Sequence, residues 1–230
     1  MDNSERQKPL HAGHRQRLRE RFLKSGINGF HDYEVLELAL TYAIPRQDVK
    51  PLAKRLIARF NGLRGVLDAA HYELVNVEGV GHSAAVLIRL LKETAEAYLK
   101  EQIVKNKVIN SASDVIDFLS LKLSGEKVER FMAIYLSSKN EVMGIEVLHE
   151  GTLNQTAVYP RKALEGAFRH NARSIIFVHN HPSGDSMPSK ADLKLTKELE
   201  TAATAVDILV HDHIIIGKNS YHSIRDNGWI

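Results

Sequence analysis

The chain has 230 residues, 43% apolar and 26% charged, a balance that supports a packed core without covalent or metal staples and makes a folded rather than a disordered chain the expectation. It contains no cysteine, which excludes a disulfide framework and any thiolate zinc site, so a metal would have to be held by nitrogen and oxygen. The formal net charge of +3 is uneven: residues 1–105 carry 17 Lys+Arg against 13 Asp+Glu, whereas residues 106–230 carry 14 against 15. No apolar run approaches the ~18 residues of a membrane span, and none follows the polar N-terminus, so a soluble cytoplasmic protein with no membrane partner is expected.

The length suits two domains, 1–105 and 106–230. The first is expected to be all-helical. Arg15, Arg17, Arg19 and Arg21 alternate with other residues; such a row can meet phosphates, or it can be the solvated face of a helix. Apolar residues recur at three and four over 33–43 and 49–60, which predicts two helices, with Pro51 where a first turn tolerates it. Residues 74–85, with Gly79-Val80-Gly81 at their centre, resemble a helix-hairpin-helix motif that runs into a long helix ending near Tyr98. Its glycines would let the backbone turn sharply and approach a phosphate of DNA without reading its sequence. The plainer reading is a tight turn between packed helices, and the first turn after the hairpin offers His82, Ser83 and Ala84 rather than a cation.

A mixed polar stretch over 99–113 reads as the linker. A helix beginning at Ser111 or Ser113 should end near Leu123, after which the period becomes strand-like. Strands are predicted over 131–136 and 142–148 as a hairpin, a helix over 161–170 opened by Pro160, a strand over 174–178, a helix over 189–203 and a strand over 207–216. This order indicates an α/β or α+β layer domain.

The chemistry concentrates where the 174–178 strand ends. His179 and His181, one residue apart in extended chain, point to the same side and can share one ion. Asp192 lies in the first turn of the next helix, where a loop with two prolines and a glycine can return it to the histidines. Two imidazoles, a carboxylate and an open position suit a catalytic zinc site better than a closed structural one.

His-x-His, seven residues, Ser, two residues, Asp is the JAMM motif, and His179-Asn180-His181-Pro182-Ser183-Gly184-Asp185 is similar to its form in the RadC family. The resemblance extends through Glu150-Gly151, Tyr159-Pro160-Arg161 and Asp212-His213-Ile214-Ile215-Ile216-Gly217, nearly the whole second half. It implies a JAMM/MPN fold with a mixed sheet, related to cytidine deaminases, preceded by a helix-hairpin-helix domain. It also implies zinc held by His179, His181 and Asp192, with Ser189 steadying a tetrahedral oxyanion. Ser189-x-x-Asp192 is in addition an ordinary capping box, and both roles can hold together. The resemblance places a general base just before a buried strand, where Glu129 stands.

Glu141, in Glu141-Val142-Met143-Gly144, is the alternate base, although it follows the first strand instead of entering it. His211-Asp212-His213 is another His-x-His, but no carboxylate at a helix start follows it; His213 reads as a core residue or a hydrogen-bond partner of a ligand. His-Glu-x-x-His, a P-loop, a G-x-S-x-G elbow and G-x-G-x-x-G are all absent from the sequence. The expected activity is zinc-dependent hydrolysis of a peptide or isopeptide bond. The alternatives are a DNA-acting protein, either a metal-dependent nuclease or a repair and recombination accessory factor, and a binding module whose metal only holds a loop.

Overall fold

The computed structural model describes residues 10–105, 109, 113–151 and 158–229, and the chain divides into two compact units, 1–94 and 95–230. Among the described residues no helix is long and apolar enough to cross a membrane.

The first unit is helical: α1 (Leu10–Ser25), a 3-10 turn (Gly26–Gly29), α2 (Asp32–Ala43), α3 (Lys50–Phe60), α4 (Leu63–Asp68), α5 (His71–Val75) and the start of α6 (His82–Lys105). Its core is the apolar stripe of these helices: Leu36 and Leu40 of α2, Leu52 and Leu56 of α3, and Ala84, Ala85 and Ile88 of α6. The arginine row is largely occupied in holding α1. Arg15 donates to the carbonyls of Thr41 and Ile44, which the end of α2 leaves unpaired, Arg19 lies over the Tyr42 ring, and Arg21 pairs with Glu34 at 2.7 Å.

The 74–85 segment does form helix, hairpin and helix. Gly79 sits at φ +90, which only glycine adopts without strain. Helix α6 does not stop near Tyr98 but continues to Lys105, so the expected linker is partly helical. The reason lies in the second unit, where Ile103 is buried in the core and Leu99 packs against it one turn earlier. Residues 106–108 and 110–112 of that stretch, including Ser111, lie outside the described residues.

The second unit contains α7 (Ser113–Leu123), β1 (Arg130–Leu136), β2 (Val142–Glu150), α8 (Pro160–Arg169), β3 (Ser174–Asn180), α9 (Lys190–Thr204), β4 (Leu209–Ile216) and a short β5 (Tyr221–Ser223). The strands form one mixed sheet in the order β2-β1-β3-β4-β5, with β3 and β4 parallel and the other pairs antiparallel. Alternation along the strands splits the core into two layers. Met132, Ile134, Ile176, Val178, Ile214 and Ile216 face α7, through Val115, Phe118 and Leu119. Phe131, Ala133, Tyr135, Ile175 and Phe177 face the other way, against Ala163 and Ala167 of α8 and Leu199 and Ala203 of α9. The central strand β3 is buried along its whole length.

Candidate metal centre

Strand β3 runs two residues beyond its expected end and delivers His179 and then His181 to the end of the central strand, on the face that carries α9. The chain turns at Gly184, whose φ of +89 favours glycine and whose carbonyl accepts from Lys218 N–H at 2.9 Å. It then enters α9 through a capping box: Ser189 Oγ accepts from Asp192 N–H at 3.2 Å, and Asp192 Oδ2 accepts from Ser189 N–H at 2.7 Å. The cap aims the carboxylate of Asp192 back at the histidines, with Oδ1 3.2 Å from His179 Nε2 and Oδ2 3.4 Å from His181 Nε2. The two Nε2 atoms are 3.0 Å apart.

The surrounding hydrogen bonds assign the tautomers. Thr196 donates its only hydroxyl hydrogen to the carbonyl of Asp192 at 2.6 Å, so toward His213 Nδ1, also at 2.6 Å, its oxygen accepts. Burial, followed by the charge of His179, holds the His213 pKa well below the ordinary value, so this ring is neutral and its Nε2 is an acceptor. His179 Nδ1 therefore donates to His213 Nε2 across 2.9 Å, so that the neutral form of His179 presents a lone pair at Nε2. His181 Nδ1 is 2.8 Å from the Asp185 carbonyl and must donate to it, which leaves His181 Nε2 in the same condition. With both rings neutral, two lone pairs and a carboxylate converge on one point, an arrangement that only a cation or a proton relieves.

The spacing fits a tetrahedrally held ion. Bonds of ~2.0–2.1 Å in a tetrahedron put neighbouring donor atoms roughly 3.3 Å apart; the two Nε2 atoms are 3.0 Å apart, and the Asp192 carboxylate reaches each of them with a different oxygen, at 3.2 and 3.4 Å.

Glu129 enters from a different part of the chain. β1 and β3 are paired with Phe131 opposite His179, and the same register, continued past the strand ends, sets Glu129 beside His181. A carboxylate oxygen of Glu129 and ring nitrogens of His179 and His181 all lie within 4.8 Å of one another. Glu141 is at the other end of the hairpin, next to Val142, which pairs with Leu136, and its carboxylate accepts from the Ser137 hydroxyl at 3.5 Å. β1 therefore separates it from the histidines by roughly the length of a strand, ~17–20 Å.

His213 proves to be the hydrogen-bond partner of a candidate ligand, as one reading of the sequence held. Thr196, one helical turn beyond Asp192, went unrecognised; its i+4 spacing from Asp192 was the available signal. Neutral His213 fixes the tautomer of His179, so His213→Leu is expected to weaken metal binding by about 10- to 100-fold while leaving the fold intact. Competition with a chelating dye measures this, and an unchanged affinity would show that the pair is only packing.

A mixed sheet between helices, with His-x-His at a strand end facing a capped Asp at the next helix start, defines a JAB-type domain, the JAMM fold. Residues 109–229, more than half of the chain, match the family described as RadC-like JAB domain, and residues 11–86 match the UPF0758 N-terminal family. The chain belongs to the RadC family of JAB-domain proteins. Among its relatives is the UPF0758 protein FN0909 of Fusobacterium nucleatum, 41% identical over 225 residues that cover 95% of this chain and 97% of the relative.

Proposed function

We propose that this protein is a zinc-dependent hydrolase of peptide or isopeptide bonds, with His179, His181 and Asp192 as the zinc ligands. The observation that carries the reading is the convergence of two histidine Nε2 atoms, 3.0 Å apart, with one carboxylate whose two oxygens stand 3.2 and 3.4 Å from them, within reach of one tetrahedrally held ion. Zinc held there would polarise a carbonyl and bring the pKa of water down to about 7. Glu129, whose carboxylate lies within 4.8 Å of both histidines, takes the proton of the attacking water and passes it to the leaving amine. Ser189 Oγ, which accepts from Asp192 N–H, donates its own hydrogen to the developing oxyanion. The loop's other carboxylate, Asp185, accepts from Met187 N–H in a local turn, and among the described residues one group of metal-ligating side chains converges. That donor set suits a single-metal amide hydrolase better than a two-metal nuclease.

The test uses the full chain, purified without chelator or histidine tag, on end-blocked peptides, lysine-linked isopeptides and oligonucleotides, before and after zinc removal. Cleavage of an amide that stops on chelation and returns with zinc is the expected result. Cleavage of oligonucleotides alone, or a fully zinc-loaded protein inert on every amide, would sink the proposal.

One observation favours an added nucleic-acid contact through the hairpin. Gly79 is required by its positive φ, but a Cβ at Gly81 would meet nothing within 4 Å, so packing does not demand glycine there. A backbone open at the start of α6 is suited to close approach by a phosphate. Gly81→Glu is then expected to weaken binding of a fluorescent DNA duplex at low salt, with wild-type affinity falling steeply as salt rises. Equal binding by both proteins would remove this contact.

A further inference from the structure

Asn180 stands between the two histidines in sequence but faces the opposite side of the sheet, and it is only 1% exposed. Its amide is turned toward the segment that leads from α7 into β1. Asn180 Oδ1 accepts from Arg130 N–H at 2.8 Å, and Asn180 Nδ2 donates to the carbonyls of Val128 at 3.2 Å and Glu126 at 3.4 Å. The Arg130 amide is where backbone pairing between β1 and β3 gives out: the last paired residues are Phe131 and His179. The Asn180 side chain supplies the next rung of that ladder and holds both flanks of Glu129.

We infer that Asn180 is the positioning residue that sets the distance between the metal ligands and the carboxylate of Glu129. The inference rests on the proposed role of Glu129. Each residue of β3's final stretch then has a separate task, since His179 and His181 point to the metal from one face while Asn180 ties the base-bearing segment from the other. Three further bonds brace the same segment. Gly151 N–H donates to the Glu129 carbonyl at 2.9 Å, and Arg130 bridges Glu126 and Glu150 at 3.0 and 3.1 Å. The bonds from Gly151 and to Glu150 tie it to β2, the one to Glu126 closes within the segment, and Asn180 ties it to the strand that leads to the histidines. A buried amide with donor and acceptor both used is costly to replace, because Ala strands the Arg130 N–H and two carbonyls, while Asp keeps the acceptor and loses the donors.

The first arm of the test needs neither substrate nor metal. In Asn180→Ala the amide of Arg130 should exchange with deuterium about tenfold faster, the factor for one ordinary hydrogen bond. The His181 amide, bonded to the Ile216 carbonyl, should keep its rate. Asn180→Asp should restore protection of Arg130, which keeps the test decisive if the Ala variant does not fold. The second arm measures the affinity of acetohydroxamate, a metal chelator that hands a proton to a neighbouring carboxylate, for zinc-loaded wild type, Asn180→Ala, Glu129→Gln and the double variant. Both single changes should weaken it by roughly tenfold, and the double variant should be no weaker than either, because both remove the same interaction. An unchanged Arg130 rate, simple addition of the two effects, or loss of zinc from Asn180→Ala would overturn the inference. Wild type that takes up neither zinc nor hydroxamate would instead sink the hydrolase reading, and the exchange arm would then decide the clamp alone.

Discussion

Asp192→Ala and His181→Ala should each take the protein from about one zinc per chain to essentially none, measured by elemental analysis without added chelator. Each variant removes one of three converging donors, and neither should unfold the domain, because the β3 ladder and the α9 packing do not pass through these side chains. The pH dependence of uptake follows from the competing proton. The His181 pKa is raised, first by its hydrogen bond to Asp192 and against burial. Burial pushes the Asp192 carboxyl up, but bonds from His179 and His181 outweigh it and hold it below the carboxylate range. Without metal, then, a proton on His181 Nε2 takes the cation's place. The raised histidine contributes stability fully present below its unfolded pKa of ~6.5 and lost as pH rises through its folded value, and the depressed aspartate contributes stability present above ~3.9 and lost as pH falls. Metal-free protein should gain most from this pair between roughly pH 4 and 6.5. Zinc binding must expel the proton, so apparent affinity should fall about tenfold per pH unit below the folded His181 pKa. Zinc uptake that is flat across that range, or retained by both variants, would contradict the ligand assignment.

Glu129→Gln should slow amide hydrolysis by about 10²–10⁴ while the zinc content stays at wild-type level. Glutamine keeps the shape and the hydrogen-bonding edge of glutamate but cannot accept the proton, so a loss confined to turnover identifies a base. If the variant loses zinc together with activity, Glu129 is a fourth ligand, which its approach to within 4.8 Å of both histidines also allows geometrically. Glu141→Gln is the control, expected to match wild type because Glu141 sits at the far end of β1.

The sequence by itself determined the parts of the site whose geometry is local. His179 and His181 share a side because extended chain has a period of two, and Ser189 and Asp192 face each other because a helix start offers free N–H groups three residues apart. The all-helical first half and the order of strands and helices as far as β4 were legible for the same reason, since hydrophobic period is a short-range property, whereas the mixed sheet was implied only by the family resemblance and the three-residue β5 was not expected. The sequence did not determine where α6 ends, because Ile103 is kept helical by a core assembled from residues far along the chain. It left Glu129 and Glu141 both open on composition alone. Only the register of β1 on β3 brings one beside His181 and sends the other to the far end of the sheet. The same holds for His213, 34 residues from His179, and for Asn180, 50 residues from Arg130. These couplings exist only after strands distant in sequence have paired, and no period in the chain encodes which residues pairing will place side by side.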